Sequence, residues 1–266
     1  MVSKKHYSYH ILRNDVKLIS KLANKKTLKV LEIGCGTGNL TRVFLSEPGF
    51  NVIALDVSRF MLDRLSEKLT SEEKKRVSFV CSDWESWLNN SSEKVDVIAC
   101  CGALHHIPEY WQLLEQSFPM VLEKGFVYIA CEPLHISLRS RGANLIFNVD
   151  KMLSAPKNFI LFIYSGVVIC IKKIFGVKMF SLIRTIYRRL MSISAKQRDE
   201  DNEIFDLVEF YSEGLDHSKI IEILAKNKYK ILFDATGASS VHRMFHKIMN
   251  MFNVRTHFRL VARRKI

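Results

Sequence analysis

Apolar and polar positions along the chain fall into short continuous runs separated by periodic stretches. The run at 28–33 (LKVLEI) is β-type and enters a glycine-rich turn, and the stretch after it at 39–47 (NLTRVFLSE) is spaced like a helix. A second strand is predicted at 51–55, followed by a helix over 60–69 with Phe60, Met61, Leu62, Leu65 and Leu69 apolar. Strands are also expected at 77–81, 95–100 and 125–131, with a helical period over 110–122. Near the end, 218–225 is periodic like a helix, and 229–234 and 257–262 are strand-like. Strands alternating with helices in this way predict an α/β domain with a parallel sheet and crossover helices.

Two stretches interrupt the alternation. Residues 135–215 form an insertion whose middle is basic and helical in pattern. There Phe175, Met179, Ile183, Ile186 and Leu190 can share a face, while Lys178, Arg184, Arg188 and Arg189 fall elsewhere around the helix. A smaller insertion at 239–253 carries the apolar stripe Val241, Phe245, Ile248 and Phe252. The most apolar run, Phe159 to Ile171, has 13 residues. That is short of the roughly 20 that a helix needs to cross a bilayer, so it reads as a buried or interfacial segment.

A length of 266 residues suits one α/β domain with insertions, two small domains being the alternative, and 48% apolar residues supply a core. The formal charge of +13 is unevenly spread. Residues 30–132 hold nine bases against 15 acids, whereas 133–198 hold 12 bases against Asp150 alone. The segments 1–29 and 235–266 each carry a net +7, and 199–234 a net −6. An acidic body therefore bears basic additions, which point to an anionic partner such as nucleic acid or a phospholipid surface. The six cysteines (Cys35, Cys81, Cys100, Cys101, Cys131 and Cys170) include no CxxC pair, and most lie in apolar runs. They read as reduced thiols of a cytoplasmic protein, and MVSKKHYSYH lacks the apolar stretch of a signal peptide.

The sharpest chemical signal is VLEIGCGTGN at 30–39. A buried strand runs into Gly34, Gly36 and Gly38, where a backbone without side chains can turn tightly and approach a ligand, and the following helix offers its first N–H groups. A dinucleotide fingerprint would need its third glycine at Asn39, and the Gly-Lys-Ser/Thr of a P-loop is missing from the turn. Glu32, Gly34, Gly36 and Gly38, spaced E-x-G-x-G-x-G, resemble the first motif of class I S-adenosylmethionine-dependent methyltransferases. Asp56, after the second strand, and Asp83, after the third, are similar in place to that family's ribose-binding and adenine-binding acids, with Trp84 beside the latter. After the fourth strand, ALHHIP at 103–108 resembles the L-H-H-x-P run of small-molecule members.

The resemblance implies a Rossmann-like, doubly wound sheet of seven mainly parallel strands with a helical cap insertion. It divides the chain into an N-terminal helical lid segment (1–29), an S-adenosylmethionine-binding core (30–134), a basic apolar cap (135–215) and the C-terminal part of the sheet (216–266). It also implies cofactor contacts from Glu32, Gly34, Gly36, Gly38, Asp56, Asp83 and Trp84. Two readings stand beside some of these. Asp56 and Asp83 are also suited to capping helices, and Trp84 and Trp87 are as well explained by packing. His6 to His10 either close over the cofactor or form a flexible leader.

Methyl transfer from a sulfonium requires alignment, exclusion of water and, for a hydroxyl, a proton acceptor. His105 and His106 follow the fourth strand and are the candidate bases. Glu132 and His135 follow the fifth, where Glu132–Pro133 is either a substrate contact or a strand-ending turn. The fourth strand leads into Cys-Cys-Gly-Ala and not the Asn/Asp-Pro-Pro-Tyr/Phe run of enzymes that methylate planar nitrogens. No Pro-Cys nucleophile and no carboxylate set for a magnesium site follow either, so no metal is expected. The expectation is O-methylation of a small or lipid-like acceptor. The segment 159–191 either lies on an anionic membrane surface, on the inner face of a membrane, or forms a cap whose charges are merely solvated. RNA methylation is the alternative, disfavoured because the basic segment contains no nucleic-acid-binding module. The oligomeric state is not legible.

Overall fold

The computed structural model describes residues 7–135, 214–237 and 257–265. The predicted cap at 135–215, with its 159–191 segment, and the 239–253 insertion lie almost wholly outside these residues, as does His6. The described strands are β1 (Leu28–Ile33), β2 (Phe50–Asp56), β3 (Val77–Cys81), β4 (Val95–Cys101), β5 (Val121–Pro133), β6 (Tyr229–Gly237) and β7 (His257–Arg264). The helices are α1 (Tyr7–Ala23), α2 (Thr41–Leu45), α3 (Arg59–Lys68), α4 (Ser71–Lys74), α5 (Trp84–Asn90), α6 (Tyr110–Ser117) and α7 (His217–Lys226). None of them is long and apolar enough to cross a membrane.

The strands form one sheet in the order β3-β2-β1-β4-β5-β7-β6. Pairings from β3 through β5 are parallel, and β7 runs antiparallel to both its neighbours. The apolar runs seen in the sequence follow from burial on both faces. On one face, Val30, Val52, Ala54, Val97, Ala99, Phe126 and Tyr128 meet Leu12, Val16 and Ile19 of α1, Val43 and Phe44 of α2, and Leu62 and Leu65 of α3. On the other, Leu31, Ile33, Ile53, Leu55, Ile98, Val127 and Ile129 meet Trp84 and Trp87 of α5, Leu114 of α6, and Ile220 and Leu224 of α7. Each fully buried aliphatic side chain of this kind contributes roughly 1.5–3 kcal/mol relative to exposure.

Local signals place the helix starts. Ser58 caps α3 by accepting from Met61 N, and Asp216 caps α7 by accepting from Ser218 N and Lys219 N. Thr70 and Glu73 form a reciprocal capping box at α4. The helix expected over 110–122 is shorter than its period suggested. It ends at Ser117, a 3-10 turn covers Phe118–Met120, and Val121 already pairs with Val95. Pro119 explains the stop, because it has no N–H to continue the ladder.

Helix α1 is tied to the sheet by a polar anchor as well as by packing. Asp15, buried, accepts from the Tyr128 hydroxyl at 3.0 Å and from the Arg259 guanidinium. The Arg259 guanidinium also lies over the Phe233 ring. Replacing Asp15 by Ala strands a buried hydroxyl and a guanidinium together, so Asp15→Ala is expected to lower unfolding free energy by about 3 kcal/mol. Tyr128→Phe removes a single hydrogen bond and should cost about 1 kcal/mol. Urea denaturation of the two variants checks both, and equal small losses would show that the anchor contributes little.

Candidate active site

In the strand order, β1 and β4 are neighbours whose following connections leave toward opposite halves of the sheet. A crevice opens at such a switch point, beyond the carboxyl ends of the strands. The glycine turn after β1 lies there. Gly34, Gly36 and Gly38 have φ of +63°, +51° and +83°, conformations that side chains disfavour. A Cβ on Gly34 would stand 2.5 Å from the Ala103 Cβ after β4, and one on Gly38 would stand 2.1 Å from Leu65 Cδ1. A Cβ on Gly36 would meet nothing within 4 Å. Two of the glycines thus serve close packing, and Gly36 presents bare backbone to open space.

The turn is held from three sides. Cys35 N donates to Leu55 O of β2 at 3.1 Å, and Gly36 N donates to the Asp56 carboxylate at 2.7 Å. The other Asp56 oxygen accepts from Ser58 N at 2.9 Å, so this side chain joins the glycine turn to the entry of α3. Glu32 is buried beneath the turn and accepts from Thr41 Oγ1 at 2.6 Å and Thr41 N at 3.2 Å. Burial pushes the Glu32 carboxyl up to about 8, against the opposing effect of the Thr41 hydrogen bonds and with a smaller upward push from Asp56. The expected free N–H groups of the next helix are not offered. Helix α2 starts at Thr41, whose N–H goes to Glu32, and Arg42 N, Val43 N and Phe44 N donate to Gly38 O and Leu40 O.

Asp83 lies two residues beyond the end of β3, on the surface. It caps α5, accepting from Ser86 N and Ser86 Oγ at 2.7 Å each. The Ser86 backbone N–H and hydroxyl hold its carboxyl below the usual range. Trp84 follows at the first position of α5, buried against Ile33, Leu55 and Ile98 in the core. Its indole N–H has no hydrogen-bond partner among the described residues. Gly34, Gly36, Gly38, Glu32 and Asp56 therefore form one hydrogen-bonded and packed unit, while Asp83 makes its bonds within α5.

The second half of the site follows β4. Leu104–His106 is a single 3-10 turn, and the His105 and His106 rings lie 3.8 Å apart between centroids. Glu132, fully buried near the end of β5, accepts from Ala103 N at 2.8 Å, Leu104 N at 3.0 Å and His105 N at 3.4 Å. It also meets His105 Nδ1 at 2.9 Å. Glu132, expected as a substrate contact or part of a strand-ending turn, is buried and forms the floor of the loop that carries both imidazoles. Burial lowers the His106 pKa from the ordinary 6.5, and the adjacent His105 lowers it further against the pull of Glu132. Both effects favour the neutral form of the His106 ring.

A bulge in β5 aims Glu132 there. Ile129 pairs with Leu260 and Glu132 with Phe258, so β5 carries one residue more than β7 across this stretch. Cys131 takes the left-handed conformation, φ +57°. Tyr128, Ala130 and Cys131 then all lie toward the α1 face, and Glu132 turns to the loop after β4. The sequence signal was an acid in phase with Tyr128 and Ala130 inside an apolar strand, a position where it has no role unless the register slips. Among the described residues, no group of three His, Cys, Asp or Glu side chains is placed to hold a metal ion.

Residues 30–125 match the family model described as a methyltransferase domain. The chain is 34% identical over 83 residues to malonyl-[acyl-carrier protein] O-methyltransferase of Paenibacillus sp., a match covering 29% of this chain and 30% of that protein. It is 31% identical over 125 residues to demethylmenaquinone methyltransferase of Lactococcus lactis subsp. lactis, covering 46% and 48%. The matches thus span less than half the length of either relative. Among solved structures, the plantazolicin methyltransferase BpumL in complex with SAH resembles it with a TM-score of 0.54 at 14% identity, over 97% of this chain and 84% of that one. Residues 30–125 are thus similar to a methyltransferase domain, and the sheet that carries them shares the fold of solved methyltransferase structures such as BpumL.

Proposed function

We propose that the protein transfers the methyl group of S-adenosylmethionine to an oxygen of a small or lipid-like acceptor. The observation that carries this reading is the open backbone of Gly36 beside Asp56, set at the switch point of the sheet. The name of the Paenibacillus relative, an O-methyltransferase, supports oxygen as the acceptor atom.

The residues present fit the cofactor. The glycine turn gives its methionyl part a surface without side chains. Asp56 ends β2 with each oxygen engaged by a single backbone N–H, which leaves acceptor capacity for two ribose hydroxyls. Asp83 and Trp84 stand beyond the next strand as the candidate adenine contacts, Asp83 through its remaining acceptor capacity and Trp84 as an apolar wall. Glu32 is the candidate partner of the ammonium group. When bound, the cofactor supplies an electrophilic methyl on a sulfonium, with a thioether as leaving group. The protein's part is to hold the acceptor in line, exclude water and receive its proton on His105 or His106. The 135–215 segment, which follows β5 directly in the sequence, is our candidate for acceptor recognition.

Gly36→Ala separates folding from binding. Its Cβ meets no protein atom, so the fold pays only the left-handed backbone cost of about 1–2 kcal/mol. Affinity for S-adenosylmethionine in calorimetry is expected to fall at least about tenfold, since the methyl enters the space given to the ligand. Gly34→Ala, with its clash against Ala103, should instead lower the melting temperature sharply. Unchanged affinity in a folded Gly36→Ala protein would remove the ligand from the turn.

Glu32 gives a second test through proton linkage. With its pKa near 8 the free carboxyl is mostly protonated at pH 7, and an adjacent ammonium favours the ionised form. Cofactor binding at pH 7 should therefore release close to one proton, read as a buffer-dependent enthalpy that is lost in Glu32→Gln. A binding enthalpy independent of the buffer would mean that Glu32 only anchors Thr41. For the acceptor, incubation with methyl-labelled cofactor and fractionated extract should place label in a small organic-soluble product. Label confined to RNA would overturn the assignment.

A further inference from the structure

Two imidazoles of consecutive residues stand at the site, tilted 43° to each other, and proximity alone does not distinguish them. The surroundings of Glu132 do. Three backbone N–H groups, those of Ala103, Leu104 and His105, converge on its two oxygens, and the His105 ring sets Nδ1 2.9 Å from one of them. Backbone N–H groups can only donate, so the Glu132 oxygens act as acceptors toward the loop, and the contact with the His105 ring is read in the same sense. The ring nitrogen facing it, Nδ1, must then carry the proton. The remaining nitrogen, Nε2, holds the lone pair of the neutral ring.

We infer that Glu132 is the positioning residue of the proton-accepting group, fixing the tautomer and orientation of His105 so that Nε2 receives the acceptor's proton. This rests on the methyl-transfer reading above. As the acceptor oxygen bonds to the methyl carbon and the carbon–sulfur bond breaks, the hydroxyl proton passes to Nε2. The positive charge leaves the sulfonium and appears on the imidazolium, against the carboxylate at Nδ1. The proton is afterwards lost to solvent, and the site returns to its starting state. No such carboxylate contact is made by the His106 ring among the described hydrogen bonds. Its lowered basicity, set by burial and by His105, suits a neutral wall against which the His105 ring packs at 3.8 Å.

The same carboxylate that orients the ring also shapes the backbone around it. Ala103, whose N–H it accepts, is the residue against which Gly34 packs. Glu132 therefore sets the position of His105 relative to the glycine turn, so that one side chain fixes both where the base stands and which nitrogen it presents. The β5 bulge at Cys131 is the device that puts it there.

The tautomer can be read directly by long-range nitrogen–proton NMR of the ¹⁵N-histidine-labelled full chain at pH 8, with His105→Asn assigning the ring. His105 is expected as the Nδ1–H form, with Nε2 at the shift of an unprotonated nitrogen. In Glu132→Gln, the amide N–H₂ can donate to Nδ1, so the two nitrogens should exchange roles. An Nε2–H ring in the unaltered protein would overturn the inference, whether or not the variant folds. So would a folded Glu132→Gln protein that keeps the original tautomer. Calorimetry with S-adenosylmethionine on the same unaltered sample tests the methyl-transfer reading separately. Loss of that reading would leave the tautomer result standing, and a wrong tautomer would leave cofactor binding untouched.

Discussion

The site depends on how closely two neighbouring parallel strands approach after they leave the sheet. β1 and β4 are paired through Ile33 and Cys100, and a residue or two later their chains must part toward opposite halves of the fold. The parting is tight: Gly34 lacks a side chain where the Ala103 side chain already stands. Neither turn can relax without moving the other. The glycine turn is further tied to β2 through Asp56, and the turn after β4 to β5 through Glu132. Four adjacent strands thereby define one set of positions, and the open backbone at Gly36 is the part of it left free.

Acidic side chains are the connectors in this arrangement. The acid excess of residues 30–132 could be taken for a negatively charged surface, yet several of its members point inward. Glu32 holds the first turn of α2, Glu132 holds the loop after β4, and Asp96 accepts from Lys29 N and from the Lys25 ammonium. Asp15, outside that segment, does the same for α1 through Tyr128 and Arg259. A carboxylate can accept from several donors at once, so a single buried acid orders a turn whose backbone N–H groups have no ladder partner.

Strands were legible in the sequence because burial on both faces leaves no polar phase, and runs such as VDVIACC are hard to place otherwise. The short helices α4 and α5 were not, since four and seven residues give no period to read. Their caps were the available signal, Thr70 with Glu73 and Asp83 with Ser86. The acids at the strand ends could be singled out through the resemblance, whereas their hydrogen bonds could not be foreseen. That Asp56 grips Gly36 N, or that Glu32 consumes the Thr41 N–H, depends on side-chain direction at two or more strands together. Glu132 was the hardest, because its orientation follows from one extra residue in β5 relative to β7, a fact about pairing between positions over 120 residues apart.

The antiparallel placement of β7 has a consequence for how such a chain can change. Pro133 at the end of β5 and Gly237 at the end of β6 both pair with His257 at the start of β7. Leu134 bridges Leu215, so the chain leaves and re-enters the sheet at one point. Both long insertions are therefore attached at the edge that bears Gly36 and His105, through paired residues that close behind them. Neither insertion supplies a residue to the described strand pairings or to the glycine turn. A lineage could vary either insertion while leaving intact the turn at Gly36 and the loop that carries His105.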